Sequence, residues 1–144
     1  MSFENITPAQ AHGLMDGEPK HTYLDVRSIP EFEAGHAPGA VNVPLLHMGP
    51  GGMEPNPDFL AVVEATLDKE APLVVGCKMR GRSAKACELM TQAGFANLHN
   101  IDGGFGGRPD APEESSRQGW AASGLPTTTD AAPEQTYEHL KSNA

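Results

Sequence analysis

The chain has 144 residues, a net charge of −9 at pH 7 and a pI near 5.0. That length gives one ordinary domain room for a useful core, and that charge excludes the broad basic face a nucleic-acid-binding protein needs. The start Met1-Ser2-Phe3-Glu4-Asn5-Ile6-Thr7 lacks the basic-then-apolar pattern of a signal peptide, and no segment has the length and apolarity of a membrane span, so a cytoplasmic protein is expected.

Thr7 followed by Pro8 joins a capping side chain to the residue best suited to the first helical position, which predicts a helix to about Met15, ahead of Gly17. Residues 22–26 read as a strand, 29–33 as a short helix stopped by Gly35, and 40–43 as a second strand stopped by Pro44. Residues 48–57 hold three Gly and three Pro and predict a loop. Pro57 and Asp58 introduce a helix that would turn Leu60, Val63 and Leu67 to one face.

Residues 73–75, bounded by Pro72 and Gly76 and rich in β-branched side chains, predict a buried strand. From Ser83 to Gln92 the residues are good helix formers, with Gly94 placed to end the helix. Residues 97–101 predict a last strand. The alternation of strands and helices implies an α/β fold with a mainly parallel sheet covered on both faces. Residues 102–118, rich in Gly, Pro and charge, are expected to be a long loop. The polar residues from Thr127 predict a loosely held tail, in which residues 133–141 form a short helix with Tyr137 and Leu140 on one side.

Between strand and helix stands Cys77, followed by Lys78, Met79, Arg80, Gly81, Arg82 and Ser83. A helix N-terminus leaves backbone N–H groups unpaired and favours an anion, and such a position with nearby cations lowers a cysteine's pKa. Three cations around one cysteine in an acidic protein point to a small anion rather than a long polyanion. The other polar groups take blander readings. Asp25 and Arg27 are expected to pair and tie a strand end to the helix of Glu31, and His36 to make a structural hydrogen bond. Cys87 falls mid-helix, about 15 Å along a continuous helix from Cys77, so a disulfide is not expected and Cys87 reads as core. The histidines show no metal-ligand spacing, and neither metal nor cofactor is expected.

Several separated motifs, in order, carry a resemblance: Leu24-Asp25-Val26-Arg27, then Glu31-Phe32-Glu33-Ala34-Gly35-His36-Ala37-Pro38-Gly39-Ala40-Val41-Asn42-Val43-Pro44, then the Cys77 loop, then Asp102-Gly103-Gly104. Together they closely resemble a single-domain rhodanese, a thiosulfate sulfurtransferase, over about residues 5 to 128. The resemblance implies a rhodanese-like domain at residues 1–128 with a central sheet of about five strands, and a polar tail at 129–144. It implies that Cys77 carries a persulfide, and that Lys78, Met79, Arg80, Gly81, Arg82 and Ser83 cradle the sulfur and the incoming anion. Lys78 and Arg80 are expected to face the donor, with Arg82 partly structural.

Two features depart from the family. Arg80 stands where active relatives often carry Gly, with Gly81 one place later. The Trp that usually follows the Gly-Gly within a few residues comes here only at Trp120, so residues 105–119 read as an insertion, expected to form a rim that selects the acceptor. The implied partners are a small anionic sulfur donor and a cyanide or thiol acceptor, a protein thiol included, with no nucleic acid and no membrane. Two alternatives stand beside this reading. One is a catalytically idle interaction module of the same fold. The other is a phosphatase or arsenate reductase, which needs Cys-x5-Arg; that spacing lands on Ser83, and Arg82 comes one residue early.

Overall fold

A computed structural model describes residues 3–144. The strands β1 (Phe3–Ile6), β2 (Thr22–Asp25) and β3 (Val41–Asn42) are followed by β4 (Leu46–Gly49) and β5 (Gly52–Pro55), then by β6 (Leu73–Gly76) and β7 (Leu98–Ile101). Five of them form one wholly parallel sheet in the order β1-β7-β6-β2-β3, with β4 and β5 apart as an antiparallel hairpin. The helices are α1 (Pro8–Met15), α2 (Ile29–Ala34), α3 (Phe59–Thr66), α4 (Gly81–Gln92), α5 (Glu114–Ala122) and α6 (Tyr137–Ser142).

The expected α/β architecture is therefore what the chain adopts. β6 is buried at every position because both of its faces are covered, which is why it reads as an unbroken apolar run. Leu73 and Val75 share one core with Phe59, Val62 and Val63 of α3 and with Ala86, Cys87 and Met90 of α4. Val74 belongs to the opposite core, with Ala11 of α1, Phe32 of α2 and Trp120 of α5. Trp120 is fully buried, edge-on to Tyr23, and its Nε1 donates to the Pro126 carbonyl at 2.6 Å.

Helix starts follow their local chemistry. The Thr7 side chain accepts from the Gln10 N–H at 3.1 Å while Gln10 accepts from the Thr7 N–H at 2.9 Å, a reciprocal cap for α1. In α2 the Glu31 carboxylate accepts from both the N–H and the hydroxyl of Ser28, at 3.1 and 2.8 Å.

One strand is unanticipated and several expectations are corrected. β1, unread at the chain's start, pairs with β7 as an edge strand. The 48–57 loop is mostly the β4–β5 hairpin: Pro50 and Gly51 turn, and Gly49 opposes Gly52, so turn-forming residues mark the tip of paired strands. α3 buries Phe59, Val62 and Val63, while Leu60 and Leu67 pack only partly against the same core, so the buried face is shifted toward Phe59 and Val62; four large apolar residues among the first five of a short helix leave its periodicity ambiguous. Residues 102–118 are not all loop, since α5 begins at Glu114, kinked at Gly119 where φ is +78°.

The C-terminal residues are not loosely held. His36 and Thr128 exchange backbone hydrogen bonds at 2.9 and 2.8 Å, and the Gln135 side chain donates to the Ala40 carbonyl at 2.9 Å. Tyr137 and Leu140 enter the α3–α4 core, where the Asn56 amide donates to the Tyr137 hydroxyl at 3.1 Å. Composition misled because the only large apolar side chains of this polar stretch are the two that are buried. Leu140→Ala is expected to lower stability by about 2 kcal/mol, the low end for a buried leucine. Urea denaturation measures this, and an unchanged midpoint would mean that the segment is not part of the folded core.

Candidate active site

The chain leaves β2 toward β3 and leaves β6 toward β7, so the crevice beyond the carboxyl ends of β2 and β6 is the point where the strand order reverses, the usual place for a ligand in an open parallel sheet. Residues 26–28 form one wall and Cys77 with its loop the other. On the β2 side, Arg27 donates to both carboxylate oxygens of Asp25 and, at 2.7 Å, to the Gly35 carbonyl, with both side chains buried. The Asn42 amide closes the turn by donating to the Asp25 and Arg27 carbonyls, each at 3.0 Å. This pair ties the strand end to α2, as expected, and is consumed in doing so. His36 is likewise structural: its ring stacks on Phe32 and its nitrogens lie 2.7 and 2.8 Å from the Phe32 and Asp130 carbonyls.

On the β6 side, Gly76 is needed because a Cβ there would stand 2.5 Å from the buried Tyr23 hydroxyl. The next residue, Cys77, is 1% exposed, and its thiol lies 3.3 Å from the Ser83 hydroxyl, which itself donates to the Arg80 carbonyl at 3.0 Å. The Cys77 and Lys78 carbonyls face away from the loop, accepting from the N–H groups of Phe105 and Gly106 at 2.8 and 2.7 Å. That contact requires Gly104, whose φ is +50° and whose missing Cβ would collide with the Cys77 carbonyl. Among the described residues, the backbone N–H groups from Lys78 to Ser83 donate to no protein acceptor. With the start of α4 at Gly81, two residues earlier than the sequence suggests, they form a set of free donors in the stretch that directly follows Cys77.

The site cations divide. Arg82 makes a two-pronged pair with Glu31, at 2.7 and 3.0 Å, spanning the crevice from α4 to α2. Burial pushes the Glu31 carboxyl up, but hydrogen bonds from Arg82 and Ser28 and the Arg82 charge outweigh it and bring the pKa to about 2. Lys78 and Arg80 are exposed, and Met79 and Gly81 with them. Cys87 lies in the α4 core as a free thiol, pushed up to about 12 by burial and by the neighbouring Cys77. Among the described residues, no group of three or more His, Cys, Asp or Glu side chains is arranged to hold a metal ion.

All seven residues from Cys77 to Ser83 thus come together in one loop. Sequence reasoning missed the groups that hold it. Glu31 was marked only as part of a helix, and its pairing with Arg82 across the crevice has no local signal. Phe105, the first residue of the insertion, lies against Arg27 with the guanidinium carbon 4.2 Å from the ring centre. The insertion leaves at Gly104 and returns at Trp120, whose N–H donates to the Gly104 carbonyl at 2.8 Å, so it is a side loop closed at its base beside the site.

Comparison with known proteins agrees with this geometry. Residues 7–107 match the family model of the rhodanese-like domain. The chain is 42% identical over 123 residues to thiosulfate sulfurtransferase 16, chloroplastic, of Arabidopsis thaliana, covering 85% of this chain and 91% of that one. It is 38% identical over 98 residues to rhodanese-like domain-containing protein 17 of the same plant, covering 67% and 62%. Among solved structures, Rv0390 from M. tuberculosis superposes with a TM-score of 0.73 at 30% identity, covering 88% of this chain and 98% of that one. From its motifs, its sheet and these relatives, the chain belongs to the rhodanese family.

Proposed function

We propose that the protein is a sulfurtransferase that moves the sulfane sulfur of an anionic donor such as thiosulfate to a thiophilic acceptor through a persulfide on Cys77. The observation that carries this reading is the set of unpaired N–H groups in the loop that follows the buried Cys77. Such donors stabilise negative charge on sulfur, both in the attacking thiolate and in the persulfide anion. A relative named as a thiosulfate sulfurtransferase, matched over most of both chains, supports it.

In the first step the Cys77 thiolate attacks the outer sulfur of thiosulfate, the bond between the two donor sulfurs breaks, and sulfite leaves with its electron pair. In the second, cyanide or a thiolate attacks the terminal sulfur of the persulfide, and the pair of the broken S–S bond returns to Cys77. Cyanide leaves as thiocyanate, and a thiol leaves as its own persulfide. The Ser83 hydroxyl, which accepts from the thiol, can rotate from the Arg80 carbonyl and donate to the charged sulfur. Lys78 and Arg80 attract the donor's sulfonate, and Arg82, committed to Glu31, positions the loop.

The same commitment argues against a phosphatase. That chemistry needs a loop arginine turned to the oxyanion, and Arg82 is both one residue early and spent on Glu31. The idle-module reading rests on Arg80, which stands where active relatives often carry Gly; the presence of Cys77 and of the unpaired loop N–H groups weighs against it.

Thiosulfate alone is expected to add one sulfur atom, about 32 Da, to the wild-type protein, and cyanide to remove it. Cys77→Ser is expected to show neither the adduct nor turnover; intact mass and thiocyanate release measure this, and an adduct persisting in the variant would overturn the assignment. Glu31→Gln is expected to reduce stability by about 1 kcal/mol at neutral pH, with turnover reduced as the loop loosens. Because the folded-state carboxyl titrates at about 2 against an ordinary 4.5, the pair's contribution is complete above pH 4.5 and fades as pH falls through 2. Wild type and variant should therefore converge in denaturation midpoint between pH 4.5 and 2, and a gap of constant size across that window would contradict the ion-pair role.

A further inference from the structure

We infer that Asp102 is a specificity-determining residue that limits affinity for dianionic donors by competing for Arg80, and that Arg108 of the inserted segment opposes it as an additional anion-site cation. The inference rests on the sulfur-transfer reading and names donor charge as what Asp102 discriminates: it weighs against small dianions such as thiosulfate more than against singly charged sulfane compounds.

Asp102 directly follows β7 and Cys77 directly follows β6, and these strands are parallel neighbours with Val75 opposite Asn100. Cys77 and Asp102 thus leave the same carboxyl edge of the sheet from neighbouring strands, and Arg80 of the Cys77 loop reaches Asp102. The Asp102 side chain is only 17% exposed. Its Oδ1 is buried with no hydrogen-bond partner, yet two guanidinium groups approach that same atom, Arg80 Nε at 4.0 Å and Arg108 Nε at 3.5 Å.

Neither approach is a hydrogen bond, in contrast with the pairs that fix Arg27 and Arg82. Arg80 is 46% exposed and free to swing. Arg108 has a second acidic neighbour, Asp110 at 3.4 Å, but that carboxylate is largely in solvent and weakly coupled. Lys78 lies across Gly106, where a Cβ would stand 3.0 Å from its Cγ, so the insertion also sets the lie of that side chain. Two cations, Arg80 and Arg108, therefore share one low-exposure carboxylate without hydrogen-bonding to it, with Lys78 exposed on the same loop as Arg80. A dianion at the Cys77 loop must pull Arg80 away from Asp102 and sit beside a negative charge. A neutral or singly charged sulfane donor meets less of that opposition.

The roles predict opposite signs for two members of one ion-pair chain, whereas simple loss of structure would move both the same way. Direct titration of Cys77→Ser protein with thiosulfate, by calorimetry, reads anion affinity without turnover. In that background Asp102→Asn is expected to tighten thiosulfate about 3- to 10-fold, an effect weakened by added salt, and Arg108→Gln to loosen it about 2- to 5-fold. Adding Arg80→Gln to Asp102→Asn should abolish the gain. In turnover with cyanide, Asp102→Asn should lower KM for thiosulfate more than KM for the monoanion methanethiosulfonate, with kcat little affected. Shifts of the same sign in the Asp102 and Arg108 variants, or equal KM changes for the two donors, would overturn the inference. If Asp102→Asn does not fold, Arg108→Gln decides alone, and an unchanged or tighter thiosulfate constant overturns it. Opposite shifts in binding without any persulfide in the wild type would sink the sulfur-transfer reading and leave the charge competition standing.

Discussion

Backbone N–H groups left without acceptors are costly wherever water does not reach them, at about 1–3 kcal/mol each when buried, and an unconstrained loop would fold in on itself to pair them. The Cys77 loop keeps its donors from Lys78 to Ser83 free, and much of the surrounding structure serves to hold it open. Phe105 and Gly106 draw the Cys77 and Lys78 carbonyls outward, Arg82 anchors the foot of α4 to Glu31, and Ser83 ties back to the Arg80 carbonyl. Contacts from the loop's own ends and from Phe105, Gly106 and Glu31 fix its path, so the loop can present donors to an anion instead of pairing them internally.

The same logic sorts the charges of an acidic protein. Arg27 and Arg82 are hydrogen-bonded to carboxylates and stabilise the two walls of the crevice. Lys78 and Arg80 keep freedom to meet a ligand. Asp102 stands between the two groups, with a buried oxygen that two arginines approach without bonding. Charge at this site is thus graded by geometry: what is bonded is scaffold, and what is only near is available.

Much of the fold was legible because its signals are local. β6 announces itself through three consecutive buried β-branched or apolar residues, α1 through a capping residue that acts within three positions, and α2 through the glycine that stops it. The candidate site was legible for a related reason, since strand, cysteine, cations and helix form one continuous stretch. Where reading failed, the deciding contact was distant. Tyr137 looks like a residue of a polar tail until Asn56 offers its amide, and the Glu114 helix hides among Gly and Pro until Trp120 seals against Gly104. The face of α3 was misjudged because apolar residues surround that helix and only the sheet beneath it chooses among them.

The sequence by itself determined the strand–cysteine–helix unit, the pairing of Asp25 with Arg27 two residues away, and the structural place of Cys87 in a helix core. These depend on propensity, capping and burial over a few neighbouring residues. The sequence also suggested Arg82 as the structural arginine, but only the tertiary structure supplied its partner, because Glu31 lies 51 residues away and meets it only where α2 and α4 come together at the point of strand reversal. It also decided how the insertion, expected as a rim, is fastened to the loop. Phe105 and Gly106 reach the Cys77 and Lys78 carbonyls because parallel neighbours β6 and β7 end side by side, a proximity that no local pattern encodes.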